Sequence, residues 1–437
     1  MTELRAFRGS IIHCLEHPVN GAGAAEVFED GMLLVDRGRI GRTGPAEQLL
    51  PALGGDVEIV DLRGKLILPG FVDSHVHYPQ MDIVASYGEQ LLDWLNRYAF
   101  PAELEFADPR HATGMANRFV DALLANGTTS ALVFATVHAH SASALFEAAD
   151  RRNMRLITGK TLMDSSAPDA LLDTPQSAES ESRALIEQWH GRGRLGYAIT
   201  PRFALTSSDE QLSRLGRLAA EFPDVHIHTH LAENREEVAQ VAARFPESRS
   251  YLDVYRQFGL LRERTVFAHC IHLDDDDRQS IADARAGIAF CPSSNLFLGS
   301  GLFGLDDAEA AGIDIGLGTD VGAGPSLSPL KTLADAYRVG QLRHLPLDPL
   351  HGLYLATLGA ARALRLDSAI GNFLTGKEAD FTVLDTDLNT PVADRCRREN
   401  GLEDRLFALQ LLGDERNVHS TWLMGEPAYR RDPALAN

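Results

Sequence analysis

The chain has 437 residues, 44% of them hydrophobic and 23% charged, and carries a formal net charge of −20. That composition fits a globular protein with a large core, and so acidic a surface would repel nucleic-acid phosphates and anionic lipid head groups. No apolar run approaches the ~20 residues that span a bilayer, and Cys14, Cys270, Cys291 and Cys396 lie too far apart for a thiolate zinc site.

The opening stretch MTELRAFRGSIIHCLEHP has neither a basic region nor a continuous apolar one, so no signal peptide and a cytoplasmic location are expected. Residues 7–65 alternate short apolar runs with turns and predict a small antiparallel β-unit. From 66 to 375 the pattern changes. Strands are expected at 66–73, 129–137, 154–162, 195–200, 225–231, 265–269, 287–291 and 313–318. Amphipathic helices are expected between them, at 111–126, 209–221, 234–245, 274–286 and 329–343. Eight strands alternating with helices predict an α/β fold, a (β/α)8 TIM barrel over 66–375. After Gly371 strands return at 379–385 and 417–430, so the flanking segments 1–65 and 376–437 could pair into one small sheet.

Catalytic groups of such barrels sit at the C-terminal ends of the strands. His75 and His77, in LPGFVDSHVHYPQ, end the first expected strand and lie two residues apart, so both rings project to one side. A lone His-x-His is more often a hydrogen-bonded pair than a metal grip. Here His230 ends the fifth strand, His269 the sixth and Asp320 the eighth. Four imidazoles and a carboxylate at one mouth suit zinc or ferrous iron. Asp320 could ligate the ion and also accept a proton from water activated by it. Glu233, three residues past His230, could reach the reacting atom as a general acid/base, or cap the helix that follows. His226 and His228 read as core or supporting residues. His272 could contact substrate or solvate a loop. His138 and His140 lack a partner motif, and Lys160, a carbamylation candidate in barrel hydrolases, has no arrangement that brings it to the metal, which favours one ion.

PGFVDSHVH, HTHLAE, the lone His269 and GTD at 318–320 resemble the metal-dependent amidohydrolase superfamily and its cyclic deaminases. HYPQ (77–80), LLDWLNRYAFPAE (91–103), TPRFAL (200–205), CPSSNLFLGSGLF (291–303), GTDVGAGPSLS (318–328) and LFALQLLGDERNV (406–418) are similar to its guanine deaminase family. Gly-Ala-Gly at 322–324 varies slightly from that family's glycine-rich turn.

The resemblance implies a barrel with a small β-sandwich built from both termini, one zinc ion per subunit and a homodimer. His75, His77, His230, His269 and Asp320 would hold the zinc. The substrate, a purine base, would meet His77, Tyr78, Pro79, Gln80, Arg202, Phe203, His230, Glu233 and Asp320, with Glu233 and Asp320 catalytic. The implied reaction is guanine plus water to xanthine plus ammonia, in purine catabolism or salvage. Relatives acting on 8-oxoguanine, a triazine, a pterin or an adenosine derivative are the nearest alternative, and Gln80 with Arg202-Phe203 argues against them. A catalytically dead scaffold would be expected to lose ligands, whereas all are present. The acidic charge and the lack of a His-x-Glu…Cys-x-x-Cys signature disfavour a nucleic-acid editor.

Overall fold

The structure, a computed structural model, describes residues 4–432 apart from 22, 56, 89, 389, 399 and 400. It divides into two compact units, one of residues 1–73, 121–130 and 328–437, the other of residues 74–120 and 131–327.

The first unit holds a seven-stranded sheet. Its N-terminal strands are β1 (Leu4–Cys14), β2 (Ala25–Asp36), β3 (Arg39–Pro45) and β4 (Glu58–Pro69). The chain returns to it through β14 (Phe381–Asp385), β15 (Val418–Leu423) and β16 (Glu426–Arg430), in the order β16-β15-β14-β4-β1-β2-β3. The pairing expected of the two termini is therefore present, though the unit is not wholly antiparallel: β1 and β4 run parallel. Alternation along β1, β4 and β14 turns Phe7, Ile11, Ile67, Phe381 and Val383 into a shared apolar core with Trp422.

The barrel strands are β5 (Phe71–His77), β6 (Thr128–Phe134), β7 (Arg155–Gly159), β8 (Thr161–Leu162), β9 (Leu195–Pro201), β10 (His226–Leu231), β11 (Thr265–His269), β12 (Gly287–Phe290) and β13 (Asp314–Leu317). They order as β13-β12-β11-β10-β9-β7-β6-β5, with the short β8 on β9. β5 and β6 are buried along their whole length, as strands covered on both faces should be. The seam between first and last strands is bridged by Ser74 Oγ donating to Leu317 O (2.9 Å), Asp320 N to His75 O (2.9 Å) and His77 N to Val321 O (2.9 Å). Gly318 permits that approach, since a Cβ there would lie 3.0 Å from His75 Cβ and 2.9 Å from Cys291 Sγ.

One expected boundary moves. The run 66–73 is two strands: Leu66–Pro69 ends β4 of the terminal sheet, and the barrel strand begins at Phe71. Gly70 makes the break, because a Cβ there would overlap Thr129 Oγ1 at 2.1 Å. The strand expected over 154–162 likewise splits at Lys160. The outer helices follow the expected amphipathic pattern. Asp209–Glu221 starts on the Ser208 cap and buries Leu212, Leu215, Leu218 and Ala219.

Candidate metal centre

β5, β10, β11 and the turn after β13 deliver His75, His230, His269 and Asp320 so that one ligand atom from each lies within 4.8 Å of the others. His77 joins them: its Nε2 is 3.2 Å from the Nε2 atoms of both His75 and His230, and 3.4 Å from Asp320 Oδ1. His75 Nε2 lies 3.1 Å from the same carboxylate oxygen and His269 Nε2 lies 3.7 Å from Oδ2. His269 and Asp320 have φ of 70° and 49°, the left-handed region that a β-carbon disfavours and that functional sites tolerate.

The outer nitrogens of His230, His269 and His75 are engaged in a way that frees the inner ones. His230 Nδ1–H donates to the carbonyl of Arg202 at 2.7 Å, a partner that can only accept. His269 Nδ1 meets Asn295 Oδ1 at 2.9 Å, and His75 Nδ1 meets His228 Nε2 at 2.7 Å. The Nε2 lone pairs are thus left facing inward. His269 Nε2 is buried and has no hydrogen-bond partner among the described residues. Burial drives the pKa of His77 down to about 3 and that of His230 well below the usual imidazole value, so the rings sit neutral. Asp320 is held well below the usual carboxylate range: burial alone would raise it, but the charge and hydrogen bonds of His75 and His77 prevail. Imidazole nitrogens around an ionised carboxylate are the donor set a divalent cation needs, and the residues present fit one.

Glu233 stands beside this cluster, with Oε2 3.4 Å from His269 Nε2. Capping of the helix Arg235–Arg244 falls to other residues: Asn234 Oδ1 accepts from Glu236 N, and Glu237 Oε2 accepts from the backbone N–H of Glu233 and of Asn234. The Glu233 carboxyl takes no part in the cap. Burial, reinforced by the Asp320 charge, raises its pKa to about 8.

A cavity opens from the cluster, walled by Leu91, Trp94, Leu95, Phe203, Leu298 and Ala323 and lined on its polar side by His77, Gln80, Arg202, Glu233 and Glu237. Arg202 Nη1 is clamped by both oxygens of Glu103 at 2.7 and 2.8 Å, and its guanidinium lies 5.2 Å from the Phe100 ring centroid. Gln80 Nε2 donates to Glu103 Oε1 at 3.2 Å while its Oε1 accepts from Gly322 N at 3.2 Å. One residue therefore serves two ends of the site: the Arg202 backbone orients His230 and its side chain faces the cavity.

Two of the expected substrate-binding residues lie outside the cavity lining. Tyr78 donates its hydroxyl to Ser141 O at 2.8 Å and packs against Phe106, and neither it nor Pro79 is among the described residues lining the cavity. Period-two alternation ends at His77, where a 3-10 turn over Tyr78–Ile83 redirects the chain and brings only Gln80 back to the cavity. His138 and His140 stack on each other, with His140 on Phe106 O. Lys160 is spent on Asp173 and Glu181. His228 supports His75, and His272 bonds Ser300 O at 3.0 Å.

Glu103, Asn295, Ser300 and Glu237 carry no sequence signal of their own. Glu103 closes the AFPAE stretch and Asn295 and Ser300 lie in CPSSNLFLGSGLF, so the segments stood out while the residues within them did not.

Residues 66–428 match the amidohydrolase family. A guanine deaminase of Escherichia coli K12 is 48% identical over 434 residues, 98% of this chain and 98% of that protein. A solved E. coli guanine deaminase superposes with a TM-score of 0.96 at 47% identity, over 98% of this chain and all of the other. The guanine deaminase of Clostridium acetobutylicum, solved with guanine in its active site, gives a TM-score of 0.88 at 28% identity, covering 98% of this chain and 100% of that one.

Proposed function

The chain belongs to the amidohydrolase family and, within it, to the guanine deaminases, and we propose from that premise how its residues divide the work. His75, His77, His230, His269 and Asp320 hold one zinc ion, and Glu233 acts from outside the ligand set. The observation that carries this reading is the convergence of four Nε2 atoms and one carboxylate beside a buried glutamate that none of the nearby helix caps uses. A bound zinc would lower the pKa of water toward neutrality and polarise the reacting centre.

The protein's own groups move the protons. Asp320 accepts one from the attacking water, and Glu233 gives one to ring N3, drawing electron density from C2 so that the hydroxyl adds there. Glu233, now a carboxylate, takes the proton of the C2 hydroxyl and passes it to the amine; the C–N bond breaks as the C2 carbonyl forms, ammonia leaves behind xanthine, and the proton held by Asp320 returns to Glu233. A carboxyl lifted into the neutral range by burial can both give and take at these steps.

At the other end of the cavity, Glu103 neutralises Arg202 and fixes its fork, leaving Nε–H and Nη2–H donors for a carbonyl such as that at C6 of guanine. Adenine presents an amino group there and would leave those buried N–H donors without an acceptor, so the pocket should reject it. Phe203 and Trp94 supply the flat walls a purine ring needs. The reading includes a cytoplasmic homodimer. No helix among the described residues is long and apolar enough to cross a membrane.

The test is metal analysis of the purified chain followed by ammonia release from guanine, 8-oxoguanine, adenine, cytosine and a chlorotriazine. One zinc per chain and guanine as the best substrate are expected. Guanine inert beside a reactive alternative would refute the substrate assignment and spare the metal site.

A further inference from the structure

The segment 291–303 leaves β12, forms the helix Pro292–Phe297 and ends in a glycine-flanked loop. It touches the reacting groups at two points. Asn295 Oδ1 holds His269 Nδ1 at 2.9 Å, and Ser300 Oγ donates to Glu233 Oε1 at 3.2 Å. The two points are coupled, because the Ser300 N–H donates to Asn295 O at 2.9 Å. From behind, His272 Nε2–H donates to Ser300 O at 3.0 Å. Gly301 follows with φ +137°, and a Cβ there would press on Ile271 Cγ2 at 3.0 Å.

Glu233 is thus gripped on one oxygen. Oε1 is on Ser300, while Oε2 faces the ligand cluster 3.4 Å from His269 Nε2. Its backbone N–H is pinned to Glu237 Oε2 at 3.0 Å, so the remaining freedom is rotation of the side chain. A group that shuttles protons must keep its orientation while its protonation changes. A lysine or a backbone N–H can only donate, so it could not pair with an oxygen that carries the proton. A hydroxyl can donate to the carboxylate and, by rotating, accept from the carboxylic acid.

We propose that Ser300 is the positioning residue for Glu233, holding Oε1 so that Oε2 keeps its place facing the ligand cluster, with His272 anchoring the Ser300 backbone. The proposal rests on Glu233 being the proton shuttle of guanine deamination. It also gives the conspicuous 291–303 segment and His272 a shared role.

The experiment uses the full-length, zinc-loaded chain and compares wild type, Ser300→Ala and Ser300→Thr for metal content, kcat and KM on guanine. Loss of a hydrogen bond to a carboxylate should lower kcat of Ser300→Ala roughly 10- to 100-fold, with KM within about twofold and zinc retained. Ser300→Thr should recover kcat to within about threefold of wild type, because it restores the hydroxyl; a residue needed only for loop packing would not show this rescue. An unchanged kcat in Ser300→Ala, an effect confined to KM, or a threonine variant no faster than the alanine one would each overturn the proposal, the last even if both variants lose stability. A wild-type chain inert on guanine would overturn the premise instead, which separates the two failures.

Discussion

In the seven-stranded sheet Phe7, Phe381 and Trp422 meet ring to ring, with centroids 4.9 to 5.5 Å apart, in an interior built almost wholly of hydrocarbon. At the barrel mouth an equally buried region is filled with His75, His77, His269, Glu103, Arg202, Glu233 and Asp320. The first stabilises in proportion to apolar area removed from water. The second buries charge, which costs stability unless every group is paired, and holds its shape through directed bonds such as Arg202 to Glu103 and His230 to the Arg202 carbonyl. A change in the sheet should therefore cost stability and leave chemistry alone, whereas one at the mouth should cost chemistry out of proportion to the atoms removed.

The largest departure between the two regions is expected at Glu103→Gln. The substitution keeps shape and leaves the buried Arg202 cation without its counter-charge, a loss of about 3–5 kcal/mol in denaturant unfolding. KM for guanine should rise roughly 10- to 100-fold as the fork loses its orientation. If stability falls and KM does not, Arg202 is structural and the purine contact lies elsewhere.

Next is Gly318→Ala, which forces a methyl against His75 and Cys291 at the barrel seam. About 1–3 kcal/mol of stability should be lost, and zinc content should fall with it, because the displaced residue is a ligand. Full metal occupancy in a destabilised variant would show that the seam and the ligand cluster are independent.

Smallest is Phe7→Leu in the sheet, expected to cost about 1–2 kcal/mol from lost aromatic contact and incomplete repacking. Its kcat and KM should match wild type. A kinetic effect there would break the contrast from the other side.

The same contrast explains what could be read from the sequence. His75, His77, His230, His269 and Asp320 were legible because strand ends in a barrel share one mouth, so that chain position alone brings distant residues together. Glu103 was not, since its role depends on Arg202, 99 residues away, and nothing local to AFPAE says that the carboxylate is buried. Ser300 was hidden for the same reason. Tyr78 and Pro79 show the opposite case: they adjoin His77 in sequence, and the turn after it leaves them outside the cavity lining. The apolar runs at Leu66–Leu68 and Phe71–Val72 look continuous until Gly70 is seen to pass against Thr129, which divides them between two sheets. Periodicity reports burial, and which core a residue is buried in is decided by contacts far along the chain.

The central claim is that Glu233 moves protons without holding the metal. Glu233→Gln keeps the size and the possible bond to Ser300 while removing the titrating group, so zinc content and turnover measured on the same preparation test it most directly. One zinc per chain with ammonia release from guanine reduced by at least ~10³-fold is the predicted result. Loss of the zinc would make Glu233 a ligand, and retained turnover would take it out of the proton path; either would contradict the account.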